Sequence, residues 1–559
     1  MVDAPESVLP RVDPAARPDD HRPVPGTAHG TERHRWLVPV LLGALMASSV
    51  LAHDPRRMVT QPLWRDENWV AVTLRAPASQ ILRLTSTTPV LFTALLRVTP
   101  HWTPQSLRIL PLAFSAACVL PAWLLGRQLD PGRWLTGAVL AVTAAFAPAL
   151  LVRHDLKQYT AEACTTLVTV WLLARLERHW TRHWLVALGA VVALGPLLGN
   201  ASIFLGPAVV ASLGLLLLGR RRFDHLRDLA VVGAAALLAD ALAFVLVDRP
   251  GETPSLRAFW ADLYVPLHAG TADILHFLHY RAGAELQAVG LGPSWVAAAL
   301  VLLGLVTLVR LGFPALALVV PAVTVEQLVA ASAQRYPLFD LRTSTWFTVL
   351  LTAVAAVGVC GLLRGALRGA RGLAGWQGSA ARATAGALVG VLVVALASPV
   401  SAAVRTAAAT TTPLEDVQGQ VRTILEQHRP GDVVVANVDA GFGLGVYWPA
   451  PPELVANQAR LNTFRVTYPP ADRVVVATTI SQPAEIAAVR AAVALARPAP
   501  GARIWVVLSH WHPLERQTML ATLGQCGTLT TPPHQHGLEP VLLLTLGPGP
   551  AAAAGDACG

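Results

Sequence analysis

The chain has 559 residues, 53% of them hydrophobic and 14% charged, with a mean hydropathy of +0.50 and a formal net charge of +9. Soluble domains carry roughly a quarter charged residues, so the composition excludes an ordinary soluble protein and indicates a polytopic α-helical membrane protein. The positive balance needs no nucleic-acid partner, because arginines gathered at the ends of membrane spans produce it.

In chain order, residues 1–35 are rich in Pro, Asp and Arg, lack an apolar core, and read as a disordered cytoplasmic tail rather than a cleaved signal. Apolar runs long enough to cross the hydrocarbon lie near 36–53, 106–126, 134–152, 158–174, 184–199, 202–219, 229–247, 293–309, 312–332, 343–363 and 384–402, about eleven transmembrane helices within a catalytic module at 36–402. Pro89–Thr99 is apolar but too short to span, and is expected as an interfacial helix. Residues 403–412 form an Ala/Thr-rich linker, and 548–559 a flexible tail. Between them, 413–547 alternates: helix 414–428, strands 432–438 and 473–479, helix 483–497, strand 503–509, helix 513–524 and strand 540–546. That order, with runs such as Val474-Val475-Val476, predicts a small α/β domain with a largely parallel sheet.

Charge sets the expected orientation. With the amino terminus inside and 89–99 not spanning, the cytoplasmic connectors (127–133, 175–183, 219–228, Arg310 and 364–382) hold fourteen Arg in 46 residues. The other side (54–105, 153–157, 248–292 and 335–342) holds thirteen Arg or Lys in 110 residues. The bias follows the positive-inside rule and puts the C-terminal domain outside the cytoplasm.

This orientation gathers Asp66-Glu67, the run Arg153 to Tyr159, the 248–292 loop and the run Arg335 to Arg342 on one outer face. Asp66 and Glu67 are expected to gain basicity from apolar surroundings, which suits taking a proton from a hydroxyl. Arg153, Lys157, Arg335 and Arg342 can bind a phosphate at headgroup depth, while Tyr159, Tyr336, Asp155 and Asp340 can contact a substrate. Lys157 is the only lysine in the chain, and its spacing from Arg153 predicts that both share one helical face. The competing account is a solvated loop end, with Arg153–Asp155 and Arg335–Asp340 pairing and snorkelling.

Other signals are weaker. Gly441-Phe442-Gly443-Leu444-Gly445 follows a strand but lacks the spacing of a dinucleotide loop, with Pro449 arriving where a helix should run. His510-Trp511-His512 and His534-Gln535-His536 lack acidic or Cys partners at ligand spacing and read as surface residues. Trp448, Trp505 and Trp511 read as strand-packing aromatics before sugar platforms. Of five cysteines, Cys118, Cys164 and Cys360 are apolar fillers within spans, and Cys526 and Cys558 can pair if the C-terminal region is exported.

The order of these features resembles the GT-C membrane glycosyltransferases, in the glycosyltransferase family 39-like branch that holds protein O-mannosyltransferases and lipid A aminoarabinose transferase. That branch carries an Asp-Glu after span one, here Asp66-Glu67, and an Arg entering the second span, here Arg108. It also has a basic-x-x-x-basic-x-Tyr run, here Arg153, Lys157 and Tyr159, and a late Arg-Tyr-Pro with a following Arg, here Arg335-Tyr336-Pro337 and Arg342. A His-Pro-Pro-like element is reduced here to Thr87-Thr88-Pro89. The resemblance implies an inverting transfer of a sugar from a polyprenyl-phosphate donor to an acceptor hydroxyl of a glycan, lipid or protein at the outer face of a bacterial plasma membrane. Asp66 would be the base, Glu67 would orient it or hold an optional divalent cation, and Arg153, Lys157 and Arg342 would hold the phosphate. A lipid-linked sugar flippase or a non-catalytic sugar-binding membrane protein are the alternatives.

Overall fold

The computed structural model describes residues 36–84, 88–131, 134–153, 155–200, 202–248, 254–372, 415–456, 464–497, 503–511, 513–532, 535 and 539–547. Its amino-terminal part contains α1 (Leu37–Ala52), α2 (Pro55–Thr60), α3 (Arg65–Thr73), α4 (Val90–Val98), α5 (Ile109–Ala117), α6 (Val119–Leu129) and α7 (Trp134–Ala145). There follow α8 (Tyr159–Arg178), α9 (Arg182–Leu198), α10 (Ser202–Gly219), α11 (Phe223–Ala243), α12 (Thr271–Ala288), α13 (Ser294–Arg310), α14 (Pro314–Ser332) and α15 (Thr345–Gly372).

This is a multi-pass membrane protein. Among the described residues six helical stretches are long and apolar enough to cross a bilayer: Pro104–Leu129, Trp134–Leu151, Ser202–Gly219, Phe223–Leu246, Pro314–Ser332 and Thr345–Ala366. Three apolar helices, α1, α9 and α13, are shorter. The expected span 158–174 is α8, which is continuous but polar, with Glu162, Arg175, Glu177 and Arg178 along it. The hydroxyls of its Thr166 and Thr169 donate back to Glu162 O at 2.9 Å and Thr165 O at 2.8 Å. Helices α6, α9, α10, α14 and α15 pack around it, which buries Glu162, Thr166 and Thr169 away from lipid. The expected span 384–402 lies outside the described residues.

One stretch differs from expectation and a second follows it. The 248–292 segment is not merely a loop, since it contains α12, which packs on α13 and α15 and buries one residue, Glu285, against the Thr348 hydroxyl at 2.6 Å. Asp, His and Arg interrupt its apolar periodicity, so the sequence carries no clear helix signal there. Pro89–Thr99 does form a short helix, α4, which buries Phe92, Thr93 and Leu96.

The C-terminal domain begins with α16 (Val417–Gln427), β1 (Val433–Ala436), α17 (Val438–Tyr447), β2 (Glu453–Ala456), β3 (Phe464–Thr467) and β4 (Val474–Val476). It continues with α18 (Gln482–Ala496), β5 (Arg503–Val507), α19 (Pro513–Cys526), β6 (Gly527–Thr530) and β7 (Leu542–Leu546). The five-stranded sheet runs β4-β1-β5-β7-β6, with Val434 registered on Val474 and on Trp505. Only β4, β1 and β5 are parallel; β7 and β6 run antiparallel and β2–β3 form a separate antiparallel pair, so the sheet is mixed. The glycine-rich run is α17, a helix rather than a loop. Its glycines serve close packing: a Cβ on Gly445 would stand 2.5 Å from Val72 of α3, and one on Gly443 would stand 2.6 Å from Val417 of α16.

Through that approach the C-terminal domain seats on the segment after α1. Trp69 of α3 meets Phe442 and Phe464 with ring centroids 6.1 and 6.4 Å away, and the two Phe rings lie 5.7 Å apart. Each ring buries about 150–250 Å², worth several kcal/mol at about 25 cal/mol per Å². Hydrogen bonds such as Leu63 N to Tyr447 Oη (3.1 Å) and Gln105 Nε2 to Gln418 Oε1 (2.6 Å) contribute about 1 kcal/mol each. Apolar burial therefore dominates the attachment, and the polar contacts set its register.

Candidate functional site

The site is built around the first turn of α3. Asp66 and Glu67 both lie there, where the helix dipole favours anions, yet they face different ways. Glu67 is wholly buried. Its carboxylate accepts from Arg108 Nε at 2.6 Å and from Arg108 Nη2, from Leu156 N at 2.7 Å, and from Trp64 N at 3.2 Å. Arg108 uses its remaining donors on Met58 O, Gln61 O and Pro62 O at 2.6–3.0 Å. The Glu67–Arg108 pair thus pins α3, the 58–62 strand of chain and the Leu156 turn together. Its oxygens are committed to these donors and it does not line the cavity, an arrangement compatible with the expected orienting of Asp66 and not with holding a cation.

Asp66 faces the cavity. Its carboxylate meets Arg65 Nη1 at 2.8 Å and Arg342 Nη2 at 2.8 Å. Burial works to raise its pKa, but the charges of Lys157, Arg65 and Arg342 outweigh that and hold the carboxyl well below the usual range. The expectation that apolar surroundings make Asp66 more basic is therefore reversed: three cations decide the outcome.

Lys157 is almost wholly buried, with Nζ 5.1 Å above the Trp69 ring and no ion pair among the described residues. Burial lowers its pKa. The expected helical face shared with Arg153 is absent, because the chain turns at 155–158 and α8 begins only at Tyr159. Lys157 N bonds Asp155 O at 2.8 Å, and this turn sends Lys157 toward Asp66 while Arg153 lies 5.9 Å over the Tyr159 ring.

Arg342 closes the opposite side. It lies 4.9 Å over Trp64 and 5.9 Å over Tyr159, with Asp155 at 3.8 Å. Asp340 holds the turn before α15 by accepting from Thr343 N at 3.0 Å, and Tyr336 Oη donates to Thr343 O at 2.8 Å. Asp66, Lys157, Tyr159, Arg335, Tyr336, Asp340 and Arg342 all line one cavity of about 1070 Å³; Arg153 and Asp155, like Glu67, do not.

The C-terminal domain supplies residues that the sequence did not mark. Arg65 donates through Nε to Asp439 at 2.8 Å and through its backbone N–H to Glu415 at 2.6 Å. Glu415 also bonds His510 Nδ1 at 2.5 Å. His510, expected at the surface, and Trp511, expected to pack on a strand, line the cavity with Asp439, Glu515 and Glu539. Their one sequence signal is position: Asp439, His510 and Trp511 follow the carboxyl ends of parallel strands, where open α/β sheets place their ligands. Trp505 is a buried strand residue bonded to Asp432 at 2.9 Å, and Trp448 is also buried. His512, His534, His536 and Cys558 lie outside the described residues, and the Cys526–Cys558 pairing with them. Among the described residues no three His, Cys, Asp or Glu side chains are grouped to hold a metal ion.

The fold, a helical membrane bundle with a small sheet domain seated on the segment after α1, is shared with solved structures. The chain is similar to ArnT from Cupriavidus metallidurans in the apo state, at 15% identity and TM-score 0.51 over 91% of this chain and 97% of that one. It is similar to the same protein bound to undecaprenyl phosphate, at 15% identity and TM-score 0.50 over 91% and 98%. The oligosaccharyltransferase of Archaeoglobus fulgidus, in complex with Zn and sulfate, aligns at 12% identity and TM-score 0.49 over 83% of this chain and 67% of that one. No protein-family model and no curated protein matches the chain. At these identities the likeness shows the fold.

Proposed function

We propose that the chain transfers a sugar from a polyprenyl-phosphate donor to an acceptor hydroxyl, with inversion, at the outer face of the plasma membrane, where the C-terminal domain also lies. The observation that carries this reading is the arrangement of Lys157 and Arg342 on either side of Asp66 in one cavity, open to both the membrane helices and the C-terminal domain. Similarity to ArnT bound to undecaprenyl phosphate supports the donor class.

The geometry suggests an order of events. While its cations hold it, Asp66 is a poor base. A donor phosphate offers Lys157 and Arg342 a stronger anion, with Arg335 on the same cavity wall. As they turn to it, Asp66 loses partners that held its pKa down and becomes able to accept the acceptor's proton. The acceptor oxygen bonds to the anomeric carbon, the bond from that carbon to the phosphate oxygen breaks, and its electron pair leaves on the phosphate, where the cations stabilise it. Donor binding thereby switches on the base.

Asp66→Asn keeps the shape and removes the proton acceptor, so transfer should fall about 10²–10⁴-fold while polyprenyl-phosphate binding persists. Near-normal turnover in a monodisperse Asn variant would remove Asp66 from the chemistry.

A further inference from the structure

The cavity has two unlike walls. The membrane side presents the cations Arg65, Lys157, Arg335 and Arg342 among the carboxylates Asp66, Glu162, Asp262 and Asp340, whereas the C-terminal domain presents Glu415, Asp439, Glu515 and Glu539 with His510 and Trp511 and neither Arg nor Lys. The cations account for a phosphate, but nothing in donor binding calls for the acidic groups of the C-terminal domain.

The acidic wall lies at a defined place in the sheet. In the order β4-β1-β5 the chain leaves β1 for one edge and β5 for the other, so the β1–β5 gap is the topological switch point, outside whose carboxyl ends open sheets bind ligands. Asn437 bolts this gap, donating to Ser509 O at 2.9 Å and accepting from Ser509 N at 3.2 Å. His510 follows directly, held with φ +47°, a left-handed conformation that costs a side-chain-bearing residue energy. Glu415 fixes its ring at 2.5 Å, and the same carboxylate grips the backbone of Arg65 beside Asp66. Trp511 is 39% exposed, with Arg516 4.6 Å over its ring. Behind Glu515, Glu485 is wholly buried and accepts from no amine, amide or guanidinium. A histidine oriented by a carboxylate, a half-open indole and flanking carboxylates suit a ring bearing hydroxyls better than an anion, since the Arg and Lys side chains that line the cavity belong to the other wall.

We propose that this strand-end crevice is the acceptor subsite, and that it takes a neutral or amine-bearing sugar rather than a phosphorylated one; the proposal rests on the transferase reading above. The acceptor ring lies against Trp511 and His510, with its reacting hydroxyl directed to Asp66 across Arg65. The test uses the full chain in lipid nanodiscs and saturation-transfer NMR with methyl glucoside, glucosamine and glucose 6-phosphate as probes. The first two should receive saturation, and glucose 6-phosphate should bind about 5- to 10-fold more weakly or not at all, the loss of about one hydrogen bond. His510→Gly suits the backbone at φ +47° and removes the ring without strain; it and Trp511→Ala should each weaken sugar contact by a similar factor. Glucose 6-phosphate binding as well as methyl glucoside, or both variants keeping full contact, overturns the proposal. Titrating polyprenyl phosphate into the same samples separates the two readings. A wild type that binds the lipid phosphate but no sugar sinks the subsite alone, and one that binds no lipid phosphate sinks the transferase reading and the subsite with it.

Discussion

Replacing Lys157 by Met keeps the stem that packs near Trp69 and deletes the charge. That charge is buried without an ion pair among the described residues, and the Trp69 ring with the more distant Asp66 and Asp155 offsets its solvation cost only in part. The variant should therefore melt no lower than wild type. Polyprenyl-phosphate affinity should fall by about 1.5–3 kcal/mol, the range for a hydrogen bond to a charged group, which is about 10- to 150-fold in Kd. The pH dependence gives a second readout. Burial is the largest influence lowering the Lys157 pKa; Arg342 and Arg65 add to it while Asp66 and Asp155 oppose. The free protein thus gives up this proton earlier than an ordinary lysine would, and phosphate binding takes it back. Wild-type affinity should decline as pH rises through that lowered value, and the Met variant should lose this decline. Calorimetric titration of polyprenyl phosphate into nanodisc-embedded protein across pH measures both. A folded Met variant with wild-type affinity and wild-type pH dependence would refute the phosphate-binding argument.

Three further outcomes are expected. Asp439→Asn strips Arg65 of a buried partner, a loss of about 3–5 kcal/mol for a broken buried pair, so the melting temperature and donor affinity should drop together; a change in neither would make the Arg65 bridge incidental. Burial, with Glu515 and Asp439 nearby, pushes the Glu485 carboxyl well above its ordinary value of 4.5. The folded state then keeps a proton that the unfolded chain has released, and wild-type stability should fall as pH rises from about 5 through neutrality. Glu485→Gln should flatten that slope in thermal melts, and parallel curves would disprove the neutral carboxyl. For orientation, a Cys at exposed Leu425 should react in intact cells with a membrane-impermeant maleimide, while one at exposed Arg221 should not; the reverse pattern would invert the membrane topology.

How much of this was legible in the sequence follows from the range of the interactions. Most described membrane helices, and α16, β1, β4, α18, β5, α19 and β7 after them, depend on local hydrophobic periodicity and fell close to where they were expected, whereas the short strands β2, β3 and β6 gave no such signal. Helix α17 did not, because its glycines argue against a helix locally and make sense only against Val72 and Val417. Helix α12 was hidden by polar residues along its face. At the site, Asp66, Lys157 and Arg342 stood out as charges at span ends, but which way each side chain turned did not. Glu67 is claimed by Arg108, and the turn at 155–158 separates Lys157 from Arg153. The contributions of Asp439, Glu415 and His510 come from more than 340 residues away from Arg65, a distance over which no local pattern can signal.

That separation has a consequence for biogenesis. Asp66 sits in the segment that follows α1, while Tyr447, Asp439 and His510, which hold or face that segment, are made several hundred residues later. Contacts so distant in sequence close late, and chains emerge from the ribosome amino end first. A nascent chain can therefore insert its helices with Arg65 and Trp69 still uncovered, lacking the wall that completes the cavity. The cavity is complete only when Phe442 and Phe464 have closed on Trp69, so a half-made chain holds charged residues at the membrane surface without the assembled site that the proposed transfer needs.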